Sequence, residues 1–471
     1  MAVSIMVPGE PNPDILTFKT LPEMFPYVNI TWIGIPDGFD TRVSLALNTG
    51  IDVPDIILGQ EIRGEKAALA INGAIVPISD YAEWTPNFNY WVDKLNVRDD
   101  VNRTKMADGK IYNLPGLHDE QFYDAGFIIR EDILKKYNAK VPETFDELLT
   151  VLRRYKAENP RSYPLIFMGG STNFYRMTMP SWGFNSNGNN GGSRTLSWDY
   201  DKEEYFAGAV CQEYRDYMRY WRQAYAEGLI DPEFSSSLWE QKLATGSSIA
   251  TYAYYDQTGI INDASDIPGF KLGFYPTLRG PAGAHGNVKS RTSGGIIFPA
   301  KTAKRPDFER VVRAVDDIFF SEEAVLLWHI GVEGVTYTME NGEVKFVDSI
   351  LNSPDGVYKT LQNQYSLGLN LYQRIWVHAW EMRKYPPEFA ETNRKVAAMG
   401  AIPYVPPVPM FDEDAVEQVS TLNSALFDCW NVWNDAFLTG TRSLETDWGT
   451  YVAEMERLGI NEYLRLYNSY L

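Results

Sequence analysis

The sequence predicts an α/β protein, and three observations predict it. Short apolar runs alternate with helix-length amphipathic stretches through the first 130 residues. A second region of the same character begins near residue 142, and beyond 356 the chain is almost all helical spacing. Strands alternating with helices favour a mostly parallel sheet with helices on its faces. At about 150 residues per domain, a chain of 471 residues has length for two or three domains, each with its own core.

The elements follow in order. Residues 3–7, 28–33 and 55–58 are apolar and rich in β-branched side chains, so they read as strands. Between them, 14–25 and 40–48 read as helices, which gives a βαβαβ opening. Residues 109–115 and 126–130 are two further strand candidates. Thr144 and Glu147 form a capping box: the hydroxyl accepts from the N–H of Glu147, whose carboxylate reaches back to the cap. That helix is expected to run to Glu158 and stop before Pro160. Residues 163–168 suggest a buried strand ending at Gly169-Gly170. Residues 185–193 form a polar loop with no core-forming side chain. A long amphipathic helix is expected over 203–227, closed by Gly228. Strands follow at 248–255 and 270–275. The Gly-rich, basic stretch 280–293 reads as a linker or a crossover, and a strand at 294–299 and a helix at 307–320 come after it. Asn341-Gly342 turns a hairpin over 337–346. A last helix, spaced Trp448, Val452, Met455, ends at Gly459.

Charge and composition narrow the function. Asp plus Glu number 62 against 43 Lys plus Arg, a formal charge of −19. A nucleic-acid backbone or an anionic membrane surface is repelled by that field, so neither is an expected partner. Aromatic residues reach 14% of the chain. They serve cores first, and a surplus of Trp and Tyr also suits flat amphipathic ligands such as sugar rings. With only Cys211 and Cys429, a disulfide scaffold and a four-cysteine metal site are excluded, while pairing of the two is left open. No stretch approaches the roughly 18 apolar residues of a membrane span.

Familiar catalytic motifs are missing: there is no Gly-x-Ser-x-Gly, no Walker loop, no His-Glu-x-x-His and no Cys-x-x-Cys. His378 and Glu381 are three apart on a predicted helix, which reads as a solvated or packed face before a metal pair. Glu10, Asp119 and Asp256 each follow a strand-like run. Two such carboxylates can hydrolyse a glycosidic bond; polar ligand contacts or surface charge is the preferred reading. Asn185, Asn187 and Asn189 alternate as oxygen donors, but calcium sites usually need several carboxylates, so a metal-free surface loop is expected there. Trp376 and Trp380 are four apart on what reads as one helix face, and Trp182 sits beside glycines. Tyr255-Asp256 closes a predicted strand, and in open α/β sheets ligands bind beyond strand ends.

Several segments carry a resemblance that spans most of the chain. They are Leu45-Ala-Leu-Asn-Thr-Gly-Ile-Asp-Val-Pro-Asp-Ile-Ile, Gly73-Ala-Ile-Val-Pro-Ile-Ser-Asp-Tyr, Asp108-Gly-Lys-Ile-Tyr-Asn-Leu-Pro and Phe127-Ile-Ile-Arg-Glu-Asp-Ile-Leu. Tyr225-Ala-Glu-Gly-Leu-Ile-Asp-Pro-Glu-Phe and Phe320-Ser-Glu-Glu-Ala, ahead of Gly331, continue the series. In this order they resemble the extracellular solute-binding proteins of carbohydrate ABC transporters, in the lipoprotein-like group of oligosaccharide binders.

The resemblance implies a periplasmic-binding-protein-like fold of two lobes with a ligand cleft between them and a hinge motion, completed by a helix-rich C-terminal part. Residues 1–122 and 284–330 would form the N-terminal lobe, and 123–283 and 331–471 the C-terminal lobe. It implies an extracellular, cell-surface binding component, lipid-anchored in the full-length precursor, monomeric, without catalysis or cofactor. The partners would be an oligosaccharide and the transporter's permease subunits, with no nucleic acid. By position, ligand contacts would come from Glu10 and Asn12 after the first strand, Gln60 after the third, His118 and Asp119 near the first crossover, Tyr255 and Asp256 in the second lobe, and Arg291 near the return crossover. Trp182, Trp376 and Trp380 would supply stacking faces. Some members carry an Asp-rich calcium loop near the position of 185–193; the Asn-rich version here departs from it, and no metal is expected. Two other readings stay open: a secreted glycosidase or polysaccharide lyase, and a receptor for peptides or other polar solutes.

Overall fold

The computed structural model describes residues 1–60, 67–120, 125–184, 195–286, 290–365, 367, 372–398, 406–407 and 409–471, without the side chains of Gln60, Ala397 and Glu413. The strands, in chain order, are β1 (Ala2–Pro8), β2 (Asn29–Ile35), β3 (Ile56–Gln60), β4 (Leu114–His118), β5 (Ala125–Arg130), β6 (Ser197–Asp199), β7 (Glu204–Phe206), β8 (Ala250–Tyr254), β9 (Leu272–Tyr275), β10 (Thr292–Ile297), β11 (Tyr337–Glu340), β12 (Glu343–Phe346) and β13 (Ile375–Trp376). The chain divides into two units. One comprises Met1–Gln121, Ser290–Pro386 and Met410–Glu417, the other Phe122–Lys289, Pro387–Pro409 and Gln418–Leu471.

The first unit is built on a six-stranded mixed sheet in the order β13-β4-β10-β3-β1-β2. β1 pairs with β2 and with β3 in parallel, the outcome expected of the βαβαβ opening, with helices Leu16–Met24 and Phe39–Thr49 as the crossovers. Ile5, Val7, Ile56 and Leu58 are fully buried. They pack with the amphipathic helix Phe308–Phe320, whose Val311, Val312, Val315 and Phe319 recur at helical spacing. β10 enters antiparallel between β3 and β4 and shifts register on both sides. Its glycines explain this. A Cβ on Gly294 would lie 2.8 Å from the Gly59 carbonyl oxygen, and one on Gly295 2.2 Å from that of Leu114. Only glycine lets the three backbones approach so closely.

Residues 331–386 were expected in the second lobe; their contacts place them in the first unit. Helix Glu322–Ile330 feeds a small apolar cluster of Ile330, Tyr337, Val344, Phe346, Ile350 and Leu361. The expected hairpin stands there as β11 and β12, with Asn341 and Gly342 at φ 54° and 80°, the left-handed pair that a two-residue turn requires. β13 then adds to the sheet edge in parallel with β4.

The second unit departs from the mostly parallel expectation. Its larger sheet has three strands, antiparallel in the order β8-β5-β9. The expected strand at 163–168 is reduced to single parallel bridges from Leu165 to Ile230 and Ala250. Helix Phe145–Glu158 begins with the full capping box, Glu147 N–H donating to Thr144 Oγ1 at 3.2 Å and Thr144 N–H to Glu147 Oε2 at 3.2 Å. The helix expected over 203–227 starts only at Gln212 and ends at Ala226, before Gly228 at φ 70°. Residues 204–206 instead form β7 of a hairpin with β6, and the backbone of Gly208 lies too close to Ser197 for any side chain. Cys211 caps the helix, its Sγ accepting from Tyr214 N–H at 3.3 Å. Cys211 and Cys429 are both free thiols, pushed up to about 12 and about 11 by burial. Among the described residues no helix is long and apolar enough to cross a membrane.

Candidate functional site

The first sheet gathers its candidates by topology. β1, β2, β3, β4 and β13 all run the same way, so their carboxyl ends open on one edge, where β10 begins. Glu10 and Asn12 follow β1, Asp37 follows β2, Gln60 ends β3, His118 ends β4 and Asp119 follows it. Trp376 ends β13, and Arg291 precedes β10. Ligands of open α/β sheets bind at such an edge.

The β4–β13 corner is closely packed. Trp376 stacks on His118 with ring centroids 4.3 Å apart and planes 4° from parallel. It also lies over Gly116, where a Cβ would sit 2.6 Å from the indole ring. Asp119 N–H donates to the Trp376 carbonyl at 3.1 Å, and its Oδ1 accepts from His378 N–H at 2.8 Å. Burial raises the Asp119 carboxyl above its ordinary range, and the His378 N–H pulls part of the way back. Glu120 is exposed, with His378 Nε2 3.9 Å from its carboxylate.

Arg291 is committed elsewhere. Its guanidinium donates to the carbonyls of His118 at 3.2 Å, Asn96 at 3.1 Å, Leu95 at 2.7 Å and Asp119 at 2.6 Å, with the Asp100 carboxylate 3.6 Å away. It shapes the edge and has little left to offer a ligand. Glu10 and Asn12 are exposed, and Asn12 Oδ1 accepts from Asp14 N–H at 3.0 Å in a local turn. The Gln60 side chain and the loop 185–193 lie outside the described residues.

The tryptophans are placed differently from the expectation. Trp376 and Trp380 do not share a helix: one is in β13, the other in the short helix His378–Glu381. Trp376 is 5% exposed. Trp380 is half-buried against the first unit's apolar clusters, its edge on His329 at 5.5 Å. Trp182 is 6% exposed, enclosed by Phe145, Tyr217, Tyr220 and Trp221 at 4.6 to 6.2 Å. Trp182 and Trp376 thus present little open ring face in this structure. Glu381 likewise does not converge with His378: it is buried in an ion pair with Lys384 at 2.9 Å. Among the described residues no group of three or more His, Cys, Asp or Glu is set to hold a metal.

In the second unit, Tyr254, Tyr255 and Asp256 mark the carboxyl end of β8, where helix Tyr255–Ala264 begins. Tyr255 is half-buried against Phe389 at 4.1 Å and Phe274 at 5.3 Å. Arg176 donates to the Tyr254 hydroxyl at 3.0 Å. Asp37, Arg176 and Phe389 were not singled out from the sequence. Asp37 had a readable signal, a Pro36-Asp37-Gly38 turn directly after a strand; the other two are brought in from distant chain.

Residues 21–325 match the family model described as bacterial extracellular solute-binding protein, and the chain belongs to that family. Among characterised relatives, it is 26% identical to the polygalacturonan/rhamnogalacturonan-binding protein YtcQ of Bacillus subtilis strain 168, over 66% of this chain and 61% of YtcQ. It is 22% identical to the fructooligosaccharide ABC transporter substrate-binding protein FusA of Streptococcus pneumoniae serotype 4, over 100% of this chain and 88% of FusA. The first of these matches thus spans about three fifths of the relative. Solved structures agree on the fold. The alginate-binding protein AlgQ2 without calcium ion superposes with a TM-score of 0.81 at 21% identity, covering 100% of this chain and 97% of that one. FusA in complex with kestose gives 0.77 at 17% identity, covering 100% and 98%.

Proposed function

We propose that this protein is the substrate-binding component of an ABC importer. It captures an oligosaccharide in a cleft between two lobes, closes by a hinge motion, and presents the sugar to membrane permease subunits. It acts outside the cell, monomeric and tethered by a lipid in its full-length precursor, and it binds without turnover. The observation that carries the reading is the carboxyl edge of the first sheet, where Glu10, Asn12, His118 and Asp119 stand at strand ends in a member of a solute-binding family. Relatives named for sugar ligands, acidic in YtcQ and neutral in FusA, support the sugar class. Carboxylates and amides there accept and donate to hydroxyls; hydrogen bonds to charged groups contribute about 1.5–3 kcal/mol each. Tyr255 and Asp256 form the second-lobe half of the site.

The test is isothermal titration calorimetry with a panel of oligosaccharides, followed by chromatography of the recovered ligand. Saturable binding with unshortened sugar is the expected result. Shortened products at enzyme-like rates would establish a glycosidase or lyase instead, and binding of peptides alone would establish a peptide receptor.

A further inference from the structure

We propose that Arg176 receives a carboxylate of the bound sugar, so that the oligosaccharide this protein takes is an acidic one. The inference rests on the oligosaccharide reading above and sharpens it to a ligand class.

Topology brings Arg176 to a strand end of the second unit. Leu165 bridges Ala250 in parallel, and Ile166 N–H donates to the Ala250 carbonyl at 3.2 Å. The segment 163–168 thus runs the same way as β8, and the two end on the same edge. From there Gly169 and Gly170, at φ 63° and 100°, turn the chain into helix Ser171–Thr178, while β8 passes into helix Tyr255–Ala264. Arg176, on the first of these helices, closes back on the end of β8: its Nη2 donates to the Tyr254 hydroxyl at 3.0 Å. Strand ends of this kind are where α/β sheets bind ligands.

The guanidinium has donors to spare. Its one hydrogen bond among the described residues goes to that neutral phenol, and no carboxylate pairs with it there. Nε is buried with no partner among the described residues. Elsewhere in the unit Arg130 pairs with Asp132, and Arg215 with Glu445 at 3.2 Å. A guanidinium offers five N–H donors in a planar fork that matches the two oxygens of a carboxylate. A half-buried one without a counter-charge gains more from an anion than from a hydroxyl, because charge-assisted hydrogen bonds are roughly twice as strong as neutral ones. The same strand end holds two more buried oxygens without a partner among the described residues, Gln257 Oε1 and Thr258 Oγ1. Both are acceptors of the kind that sugar hydroxyls use.

The net charge of −19 works against any anion at long range. Salt screens that field over about 10 Å, whereas a carboxylate on Arg176 sits at hydrogen-bond distance. Contact with the guanidinium therefore decides selectivity, and the net charge mainly slows approach.

The experiment is calorimetry on the intact chain, in EDTA so that no divalent cation bridges carboxylates. The probes are acidic and neutral trisaccharides in matched pairs: trigalacturonate with galactotriose, trimannuronate with mannotriose, and 3′-sialyllactose with 3′-galactosyllactose. At least one acidic probe is expected to bind roughly ten-fold or more tightly than its neutral partner, and which one binds separates a uronate from a sialate. Arg176→Gln should bring that ratio to within about three-fold of one. Arg176→Lys, which keeps the charge without the fork, should leave an intermediate ratio and carries the comparison if the glutamine variant does not fold. Thermal unfolding checks the folding of each variant. Neutral probes binding as tightly as their acidic partners overturn the acidic assignment and leave the oligosaccharide reading standing. A ratio unmoved in a folded Arg176 variant overturns the assignment to Arg176, and so does equal weakening of both members of a pair, the mark of a structural role. Binding by none of the sugars, with folding intact, removes both the oligosaccharide reading and this inference.

Discussion

Arg291 shows how a charged residue beside a binding edge can be consumed by architecture. Its fork satisfies carbonyls from two segments, 95–96 and 118–119, and so ties the start of β10 to the exit of β4. Lysine keeps the charge but has no planar fork. Arg291→Lys should therefore lower unfolding stability by about 1–3 kcal/mol and weaken sugar binding as the His118–Asp119 turn loosens. Urea denaturation and calorimetry read the two effects; unchanged affinity with reduced stability would confine Arg291 to a structural role. A second buried group has larger consequences. Lys384 and Glu381 are 1% and 5% exposed and paired at 2.9 Å. Removing Lys384 leaves the buried Glu381 carboxylate with only the neutral His329 ring, Nε2 3.0 Å away, against its charge. Lys384→Met should cost about 3–5 kcal/mol, and the double variant Lys384→Met, Glu381→Leu should recover much of it, because a well-packed apolar pair replaces an ion pair at little net cost. Equal losses in the single and double variants would rule out the stranded charge as the cause.

Among the elements, the capping box and the β4–β13 corner show what was legible in the sequence and what was not. Thr144 and Glu147 act within one helical turn, so their spacing alone determines the outcome; Thr144→Ala should cost about 1 kcal/mol by thermal or urea unfolding. The β1–β3 opening was legible for the same local reason: apolar runs and helix-length connections. The parallel rule failed in the second unit because β5, β8 and β9 pair across long separations that periodicity cannot express. Residues 203–211 kept helical spacing and still formed a strand and turn, since Gly208 had to pass close to Ser197. Trp376 was read as helical from its four-residue interval to Trp380, but β4 offered an open edge, and tertiary pairing outweighed local spacing. At the site, strand-end positions were legible, while the commitment of Arg291 and the burial of Trp182 were not, because both depend on distant chain. The corner itself is testable. A Cβ on Gly116 would lie 2.6 Å from Trp376 and 2.4 Å from Ser293 Oγ, so Gly116→Val must displace the ring that holds His118. Affinity should fall by more than ten-fold (about 1.4 kcal/mol) together with a loss of intrinsic tryptophan fluorescence anisotropy. Unaltered anisotropy and affinity would mean the stack is dispensable.

At the scale of the whole molecule, stability against pH is set in part by two buried groups of the first unit that pull in opposite directions. His329 is fully buried; its Nδ1 accepts from Gln373 at 3.1 Å, which leaves the proton on Nε2, 3.0 Å from Glu381 Oε2. Burial first, and the Lys384 charge second, lower it to about 4. The folded state thus keeps it neutral while the unfolded chain takes a proton below about pH 6.5. Stability from this residue is complete at neutral pH and is lost as pH falls from 6.5 toward 4. Asp316 does the reverse. It accepts from the backbone N–H groups of Phe88 and Asn87, both at 2.8 Å, yet burial raises it to about 6. The folded state holds its proton where the unfolded chain has lost it, so its contribution is complete below about pH 3.8 and is lost as pH rises to 6. Between pH 4 and 6 the two slopes oppose each other. Each spans a shift of more than two pH units, roughly 3 kcal/mol in either direction. The wild-type profile should therefore be flatter than either single variant. Relative to wild type, His329→Gln should become progressively less penalised as pH drops from 6.5 to 4.5. Asp316→Asn should be most penalised at pH 4.5 and least at pH 6.5. Other carboxylates titrate in the same range but cancel in these differences. Urea midpoints at half-unit intervals from pH 4.5 to 7 give the curves, and parallel shifts of both variants at every pH would show that neither group carries the linkage.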